Sequence, residues 1–325
     1  MTKKKILIIA IVVAVVAALV LALVLIPKDN QKFAMGTGGT GGTYYAFGSV
    51  ISNQIKASTG FSCTAVSTDG SKANILGINQ GDYQLGTVQS DVMAYAWNGT
   101  NTFAKDGKIN SFRVIGALYA EAVQLITVNS DIKSVADLKG KTVSIGAAGS
   151  GVYFNAVDVL TAAGLTLEDI TPTYQSFNDS ADALKNGTID AAFVVAGAPT
   201  PAVMDLMTAK SAYLVPIEGT IAESLMASCP YYTEYKIPAG TYNGQTEDVT
   251  TITVKATLIV SADLDEDTVY KITKAIFDNI EQITAAHAKG AELSIENAVD
   301  GMNVVPFHKG AAKYFAEKGV TVKAQ

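Results

Sequence analysis

The chemistry that this 325-residue sequence could perform is concentrated in two glycine-rich turns. Residues 36–42 (GTGGTGG) hold five of the 28 glycines, and residues 148–151 (AGSG) form the second turn. Strand-like apolar residues precede each turn, and a helical pattern follows it. The first N–H groups of a helix have no partner within the helix and carry about half a positive charge, so they bind anions without a basic side chain. The two turns therefore predict two anion-binding sites.

The first turn also fits the G-x-G-x-x-G pattern of dinucleotide-binding proteins, through Gly36, Gly38 and Gly41. A strand-like segment at 61–67, which ends near Asp69, completes the arrangement expected of such a site. A single pattern of this kind is weak evidence. Dinucleotide binding is therefore an alternative that has to be judged from the rest of the sequence.

The N-terminal residues predict a membrane anchor. Three lysines at 3–5 precede residues 6–26, which are 21 residues without a polar side chain. A helix of that length spans about 30 Å, and the lysines keep its first end in the cytoplasm. We expect residues 1–27 to be an uncleaved signal anchor and 28–32 a linker, with the body at the cell surface or in the periplasm; a cleaved signal peptide is the alternative. Export disfavours the dinucleotide alternative, because NAD and NADP are cytoplasmic cofactors.

Composition excludes several classes of function. The formal charge of the chain is −6, and an acidic body argues against binding to nucleic acid. The chain has two histidines and two cysteines, Cys63 and Cys229, which are too far apart in the sequence to suggest a zinc site. The sequence leaves open whether the two thiols form a disulfide. Neither a G-x-S-x-G nor a P-loop motif occurs, so we expect no metal, no cofactor and no enzymatic activity. Arg113 is the only arginine, so a bound carboxylate must rely mainly on backbone amides, hydroxyls or a lysine.

Strand and helix patterns alternate along the body, which predicts an α/β fold. Residues 112–119 and 122–129 resemble two apolar strands, 250–260 a long return strand, and 265–288 one helix. We expect two α/β lobes that the chain crosses twice, with a ligand cleft between them. The predicted boundaries are 33–118 for the first part of lobe 1, 119–250 for lobe 2 and 251–325 for the return to lobe 1.

Polar residues at strand–helix junctions extend the predicted site. Gln89 stands where a strand meets a helix, and Asp91 beside it either binds a ligand amine or caps the helix. Glu121 lies near the crossover and either meets an amino group of an amino-acid ligand or has a structural role. Asn155 lies one turn into the helix after the second turn, where it either points at the cleft or forms a local cap. The predicted ligand-binding residues are Gly38, Gly39, Thr40, Gly41, Thr43, Tyr44, Gln89, Glu121, Ser150, Gly151, Asn155 and Gly197.

Several short motifs together resemble the TAXI family, the solute-binding components of one class of TRAP transporters. They are GTGGTGGTYY at 36–45, VQSD at 88–91, LYAEAV at 118–123, LKGK at 138–141, GSG at 149–151 with Asn155, GAP at 197–199 and IPAGTY at 237–242. The resemblance covers the body from about residue 33 to the C-terminus. At Ala120, Val152 and Tyr153 the chain departs from the residues that the family often has.

The resemblance implies a periplasmic-binding-protein fold, type II-like, whose lobes close over a ligand. It implies a monomer that captures a small organic acid such as glutamate or 2-oxoglutarate and delivers it to TRAP-type membrane permease subunits, which use an ion gradient. The alternatives are a sensor domain of the same fold that signals to a membrane partner, an exported enzyme, and a dinucleotide-binding protein.

Overall fold

The computed structural model describes residues 31–325, so the predicted anchor and most of the linker lie outside the described residues. Within 31–325, no helix is long and apolar enough to cross a membrane. The described chain builds one ten-stranded sheet. Eight of its strands lie side by side in the order β2 (Ser62–Val66), β1 (Lys32–Gly36), β3 (Leu85–Gln89), β10 (Val249–Ser261), β4 (Phe112–Thr127), β7 (Ala191–Ala196), β5 (Thr142–Ser144) and β6 (Thr171–Thr173).

Lobe 1 begins with three parallel βα units. The strands are β1 (Lys32–Gly36), β2 (Ser62–Val66) and β3 (Leu85–Gln89), and the helices are α1 (Thr43–Thr59), α2 (Ser71–Gln80) and α3 (Ser90–Asn98). The first helix buries Phe47, Ile51 and Ile55, which are spaced four apart and therefore share one face. It ends at Gly60, whose φ of 78° is the left-handed conformation that favours glycine.

Two long antiparallel strands join the lobes. They are β4 (Phe112–Thr127) and β10 (Val249–Ser261). The last part of β10 pairs with β3 in lobe 1, while the last part of β4 pairs with β7 in lobe 2. The register between β4 and β10 shifts between Lys255 and Thr257 and again between Leu258 and Ile259. The prediction of two separate strands at 112–119 and 122–129 was wrong, because one continuous strand passes through Glu121.

Lobe 2 repeats the βα arrangement around the second glycine-rich turn. Its remaining strands are β5 (Thr142–Ser144), β6 (Thr171–Thr173), β7 (Ala191–Ala196), β8 (Tyr213–Val215) and β9 (Thr233–Ile237). Its helices are α4 (Val152–Ala162), α5 (Phe177–Asn186), α6 (Pro201–Ala209) and α7 (Thr220–Ser228). The outer strands β5, β6 and β7 are parallel, whereas β8 and β9 pair antiparallel to β4 and β10.

The C-terminal segment returns to lobe 1 as four helices, α8 (Glu266–Phe277), α9 (Ile280–Ala286), α10 (Ile295–Val299) and α11 (Lys309–Glu317). The single helix predicted over 265–288 is therefore two helices, separated at Asp278 and Asn279. Arg113 lies on this lobe, where its guanidinium donates to the carbonyl oxygens of Asn110, Phe112 and Gln325 and stacks 5.4 Å from the ring of Trp97.

Each lobe has its own hydrophobic core. The lobe 1 core joins α1, the buried faces of β3 and β10, and the C-terminal helices. Lobe 2 has a cluster on each face of its sheet, one against α4 and α7 and one against α5 and α6. The contacts between the lobes include hydrogen bonds, such as that from Thr43 to Gly197, and the ring contact between Tyr95 and Phe154.

Candidate ligand-binding cleft

A cleft of about 330 Å³ lies between the two lobes, at the low end of the range of about 300–1,000 Å³ for small-molecule pockets. Its walls are the residues that follow β1 and β2 and the last residue of β3 in lobe 1, the residues that follow β5 and β6 and the last two residues of β7 in lobe 2, and Glu121 of β4. The carboxyl ends of parallel strands are where open α/β sheets bind ligands. The position of the cleft therefore follows from the parallel βα units of both lobes.

Three helices begin at the cleft behind a glycine N-cap residue. Gly42, Gly70 and Gly151 are the N-cap residues of α1, α2 and α4, all three line the cleft, and none has a side chain that could accept from the first N–H groups of its helix. A fourth helix, α5, begins at Ser176, whose hydroxyl oxygen accepts from the backbone N–H of Asp179 at 3.2 Å. The uncapped starts direct the positive ends of three helix dipoles at one cavity.

Ten of the twelve predicted residues line this cleft, namely Gly38, Gly39, Thr40, Gly41, Thr43, Tyr44, Gln89, Glu121, Ser150 and Gly151. Asn155 and Gly197 are not among the lining residues. Asn155 lies behind the cleft, fully buried between the lobes. The carbonyl oxygen of Gly197 accepts from the hydroxyls of Thr43, at 2.8 Å, and Thr200, at 3.0 Å. Both residues support the cleft from outside its surface.

The turn after β2 and the turn after β6 also line the cleft, and neither was among the predicted residues. The first contributes Ser67, Thr68, Asp69, Gly70 and Ser71, and the second Gln175, Ser176, Phe177 and Asn178. The strand order of the sheet could have predicted them. Because parallel strands place the turns at their carboxyl ends along the same edge of a sheet, every strand–turn–helix junction of a lobe is a candidate ligand-binding turn.

A buried polar network joins the lobes behind the cleft. Gln89 Nε2 donates to Asn155 Oδ1 at 2.8 Å, and Asn155 Nδ2 donates to Asp91 Oδ2 at 3.1 Å and to the hydroxyl of Tyr232 at 2.8 Å. The Tyr232 hydroxyl in turn donates to Asp158 Oδ2 at 2.8 Å. Burial raises the pKa of Asp91 to about 7, and it also raises the pKa of Asp158. Asp91 therefore contacts the opposite lobe through Asn155 and does not line the cleft.

The network fixes the orientation of the Gln89 carboxamide. Asn155 turns its amide nitrogen to Asp91, so its oxygen faces Gln89 and can accept only from the Gln89 nitrogen. Gln89 Oε1 therefore points away from Asn155, and it is buried without a hydrogen-bond partner. This oxygen packs against Gly151 of the other lobe.

Glu121 brings a carboxyl group to the same cavity. Its side chain is 1% exposed, and its Oε2 accepts from the hydroxyl of Tyr44 at 3.1 Å. Burial raises the pKa of Glu121 well above its usual range, an effect that the Tyr44 hydrogen bond opposes. Asp69 is the second carboxyl group on the lining, and none of the described residues that line the cleft is Lys, Arg or His. The side chains of the cleft are thus acidic and neutral.

The first glycine-rich turn contacts lobe 2 directly. The carbonyl oxygen of Gly41 accepts from the backbone N–H of Ala202 at 3.0 Å, and Thr40 Oγ1 accepts from Asn178 Nδ2 at 3.3 Å. On the other lobe, a Cβ atom built on Gly151 would lie 1.4 Å from Gln89 Oε1. The lobes are therefore in contact on both sides of the cleft, and glycines at these positions allow the close approach.

The described residues contain no group of three or more His, Cys, Asp or Glu side chains that could hold a metal ion. Cys63 and Cys229 are both free thiols, and they contact Ser52 and Tyr95 respectively.

Solved structures of many proteins resemble this chain. A protein of Bordetella bronchiseptica RB50 has a TM-score of 0.54 at 16% identity, covering 91% of this chain and 85% of that one. The substrate binding protein of an amino acid ABC transporter has a TM-score of 0.50 at 14% identity, covering 81% and 98%. A putative L-cystine ABC transporter protein from Listeria monocytogenes has a TM-score of 0.50 at 18% identity, also covering 81% and 98%. At these identities the similarity shows the fold alone, and it confirms the predicted α/β fold of the periplasmic-binding-protein type.

The model of the NMT1-like family matches residues 35–319, which include both lobes and every residue that lines the cleft, and the chain therefore belongs to the NMT1-like family.

Proposed function

We propose that this protein is an extracytoplasmic solute-binding protein that captures a small carboxylate-bearing solute between its two lobes. The observation that carries the proposal is the meeting of three uncapped helix starts, at Gly42, Gly70 and Gly151, in one cleft. Backbone N–H groups at such positions bind carboxylates without a basic side chain, which suits a lining that lacks one among the described residues. Glutamate, 2-oxoglutarate and similar acids are the candidate solutes.

The lobes would open to admit the solute and close around it. The fold of solute-binding proteins supports this motion, and so do the polar contacts between the lobes, such as the hydrogen bond from Thr43 to Gly197. The proposed lobes are residues 33–118 with 251–325 and residues 119–250. No enzymatic role is proposed, since the cleft does not need a nucleophile or a cofactor to hold a solute.

The partner that we propose is a TRAP-type pair of membrane permease subunits, on the strength of the TAXI-like motifs. The protein would act on the outer side of the cytoplasmic membrane, anchored by residues 6–26 or released after cleavage. Two of the three structural neighbours named above are proteins of ABC transporters, so the energy source of uptake distinguishes a TRAP-type partner from an ABC-type partner. We expect reconstituted vesicles to take up the solute when an ion gradient is imposed, without ATP. Uptake that requires ATP would exclude the TRAP partner.

Thermal shift of the purified full-length chain tests the solute class. A ligand present at 100 times its Kd stabilises the folded state by about 2.7 kcal/mol, which raises the melting temperature by several degrees. We expect such shifts with organic acids and amino acids and none with uncharged sugars or with NADH. Shifts with sugars alone would contradict a carboxylate site, and micromolar binding of NADH would revive the dinucleotide alternative.

A further inference from the structure

We propose that the solute carries an ammonium group as well as its carboxylate, and that Glu121 is the side chain that pairs with that ammonium group. This inference rests on the proposed function, since it concerns the second functional group of the same solute. It makes Glu121 the residue that distinguishes amino acids from the corresponding keto and hydroxy acids.

The charge of the lining is the first argument. Asp69 and Glu121 are the carboxyl groups of the cleft, and no described lining residue is cationic. A solute that presents only carboxylates would bring a like charge to Asp69, which is exposed, and would favour the protonated form of the buried Glu121. An ammonium group supplies the positive charge that the described lining lacks.

The distribution of donors and acceptors is the second argument. The glycine-led helix starts offer backbone N–H donors, which suit the carboxylate of a solute. Glu121 supplies a carboxyl group to the lining of the same cleft. An ammonium group has three donors and no acceptor, so it can donate to that carboxyl group.

Proton balance supports the same assignment. Burial keeps the pKa of Glu121 well above its usual range, with smaller effects from Tyr44, Asp91, Lys289 and Gln89. The Tyr44 hydroxyl, the Lys289 charge and the Gln89 carboxamide favour the ionised carboxylate, whereas the Asp91 charge opposes it. An arriving ammonium group also favours the ionised form, so Glu121 loses its proton to solvent as the solute binds. Binding of an amino acid therefore releases a proton, and it strengthens as the pH rises toward the pKa of Glu121.

Calorimetry with three solutes on the full-length chain tests the inference. L-Glutamate and 2-oxoglutarate share two carboxylates and differ in the amine, while ethanolamine carries an ammonium group without a carboxylate. A hydrogen bond to a charged group predicts that glutamate binds about 10- to 100-fold more tightly than 2-oxoglutarate. Glu121→Gln should reduce that ratio by most of this factor, and Glu234→Gln, an exposed change on β9, is the matched control. Buffers with different ionisation enthalpies report proton release, which Glu121→Gln should abolish.

The outcomes separate this inference from the proposed function. If 2-oxoglutarate and glutamate bind with equal affinity, or if Glu121→Gln weakens both equally, the proposed pairing of Glu121 with an ammonium group is refuted. The proposal that the solute carries a carboxylate is unaffected by either result. The same proton release in the wild type and in Glu121→Gln would also count against the pairing. If ethanolamine binds and neither acid does, the result would support recognition of an ammonium group and refute recognition of a carboxylate. Binding of none of the three solutes would refute both.

Discussion

Replacement of Gly151 by alanine is the sharpest test of the contact between the lobes. The backbone of Gly151 has φ −76° and ψ −20°, a helical conformation that alanine adopts without strain. The added Cβ would nevertheless lie 1.4 Å from Gln89 Oε1 and 2.9 Å from Val92 Cγ2, both on lobe 1. The substitution thus leaves lobe 2 unstrained and opposes only the arrangement in which the lobes meet.

The expected loss of solute affinity follows from the displacement of Gln89 and from the overpacking of the contact. Gln89 has to move by about 2 Å to reach ordinary van der Waals distance from the new methyl group. That displacement removes its hydrogen bond to Asn155, worth about 0.5–1.5 kcal/mol, and overpacking of a tight contact costs about 1–3 kcal/mol. A total of about 2–4 kcal/mol corresponds to roughly a 30- to 1,000-fold loss of solute affinity. The free energy of unfolding of the solute-free protein should be unchanged or about 0.4–1 kcal/mol higher, because alanine restricts the unfolded chain.

Calorimetry measures the solute affinity, and urea denaturation measures the free energy of unfolding. The matched control is the double variant Gly151→Ala with Gln89→Ala, which removes the side chain that the new methyl group meets. Its affinity should exceed the value expected from adding the two single losses, which is the signature of residues in contact. Wild-type affinity in Gly151→Ala would show that the solute-bound protein does not contain the Gln89–Gly151 contact, and the reasoning would fail.

Two further predictions concern stability. The folded pKa of Asp91, about 7, lies above the value of about 4 for an unfolded aspartate, so the folded protein holds the extra proton between these pH values and the free energy of unfolding falls as the pH rises from about 4 to about 7. Asp91→Asn should remove part of this fall in urea denaturation across that range, and an unchanged slope would contradict it. Asp265 caps α8 by accepting from the N–H of Thr268, so Asp265→Ala should lower the free energy of unfolding by about 1 kcal/mol with solute affinity unaltered.

The elements with a strong local signal could be predicted from the sequence. Residues 71–80, followed by Gly81, have the pattern of a short helix with a glycine C-cap, and α2 covers these residues because Gly81 ends it in the left-handed conformation with φ 86°. The glycine-rich turns were predicted as helix starts for a similar reason, since their residue types carry the information locally.

The remaining features depend on tertiary contacts. Glu121 interrupts an apolar pattern, so β4 was predicted as two strands, whereas the structure keeps the strand continuous and buries the carboxyl group at the cleft. Asn155 was expected to face the solute, but Gln89, Asp91 and Tyr232 together hold it behind the cleft. No spacing within the sequence indicates that these four residues from both lobes meet.

The three glycine-led helix starts have a consequence for how solute preference can change. Their N–H groups belong to the peptide backbone, so replacing a side chain leaves these donors in place, with proline as the exception because it lacks the hydrogen. The donors themselves are therefore retained in most single mutants, although a side chain added at Gly151 would still separate the lobes. Divergence toward a new nutrient would act through the other side chains that line the cleft, among them Glu121 and Gln175.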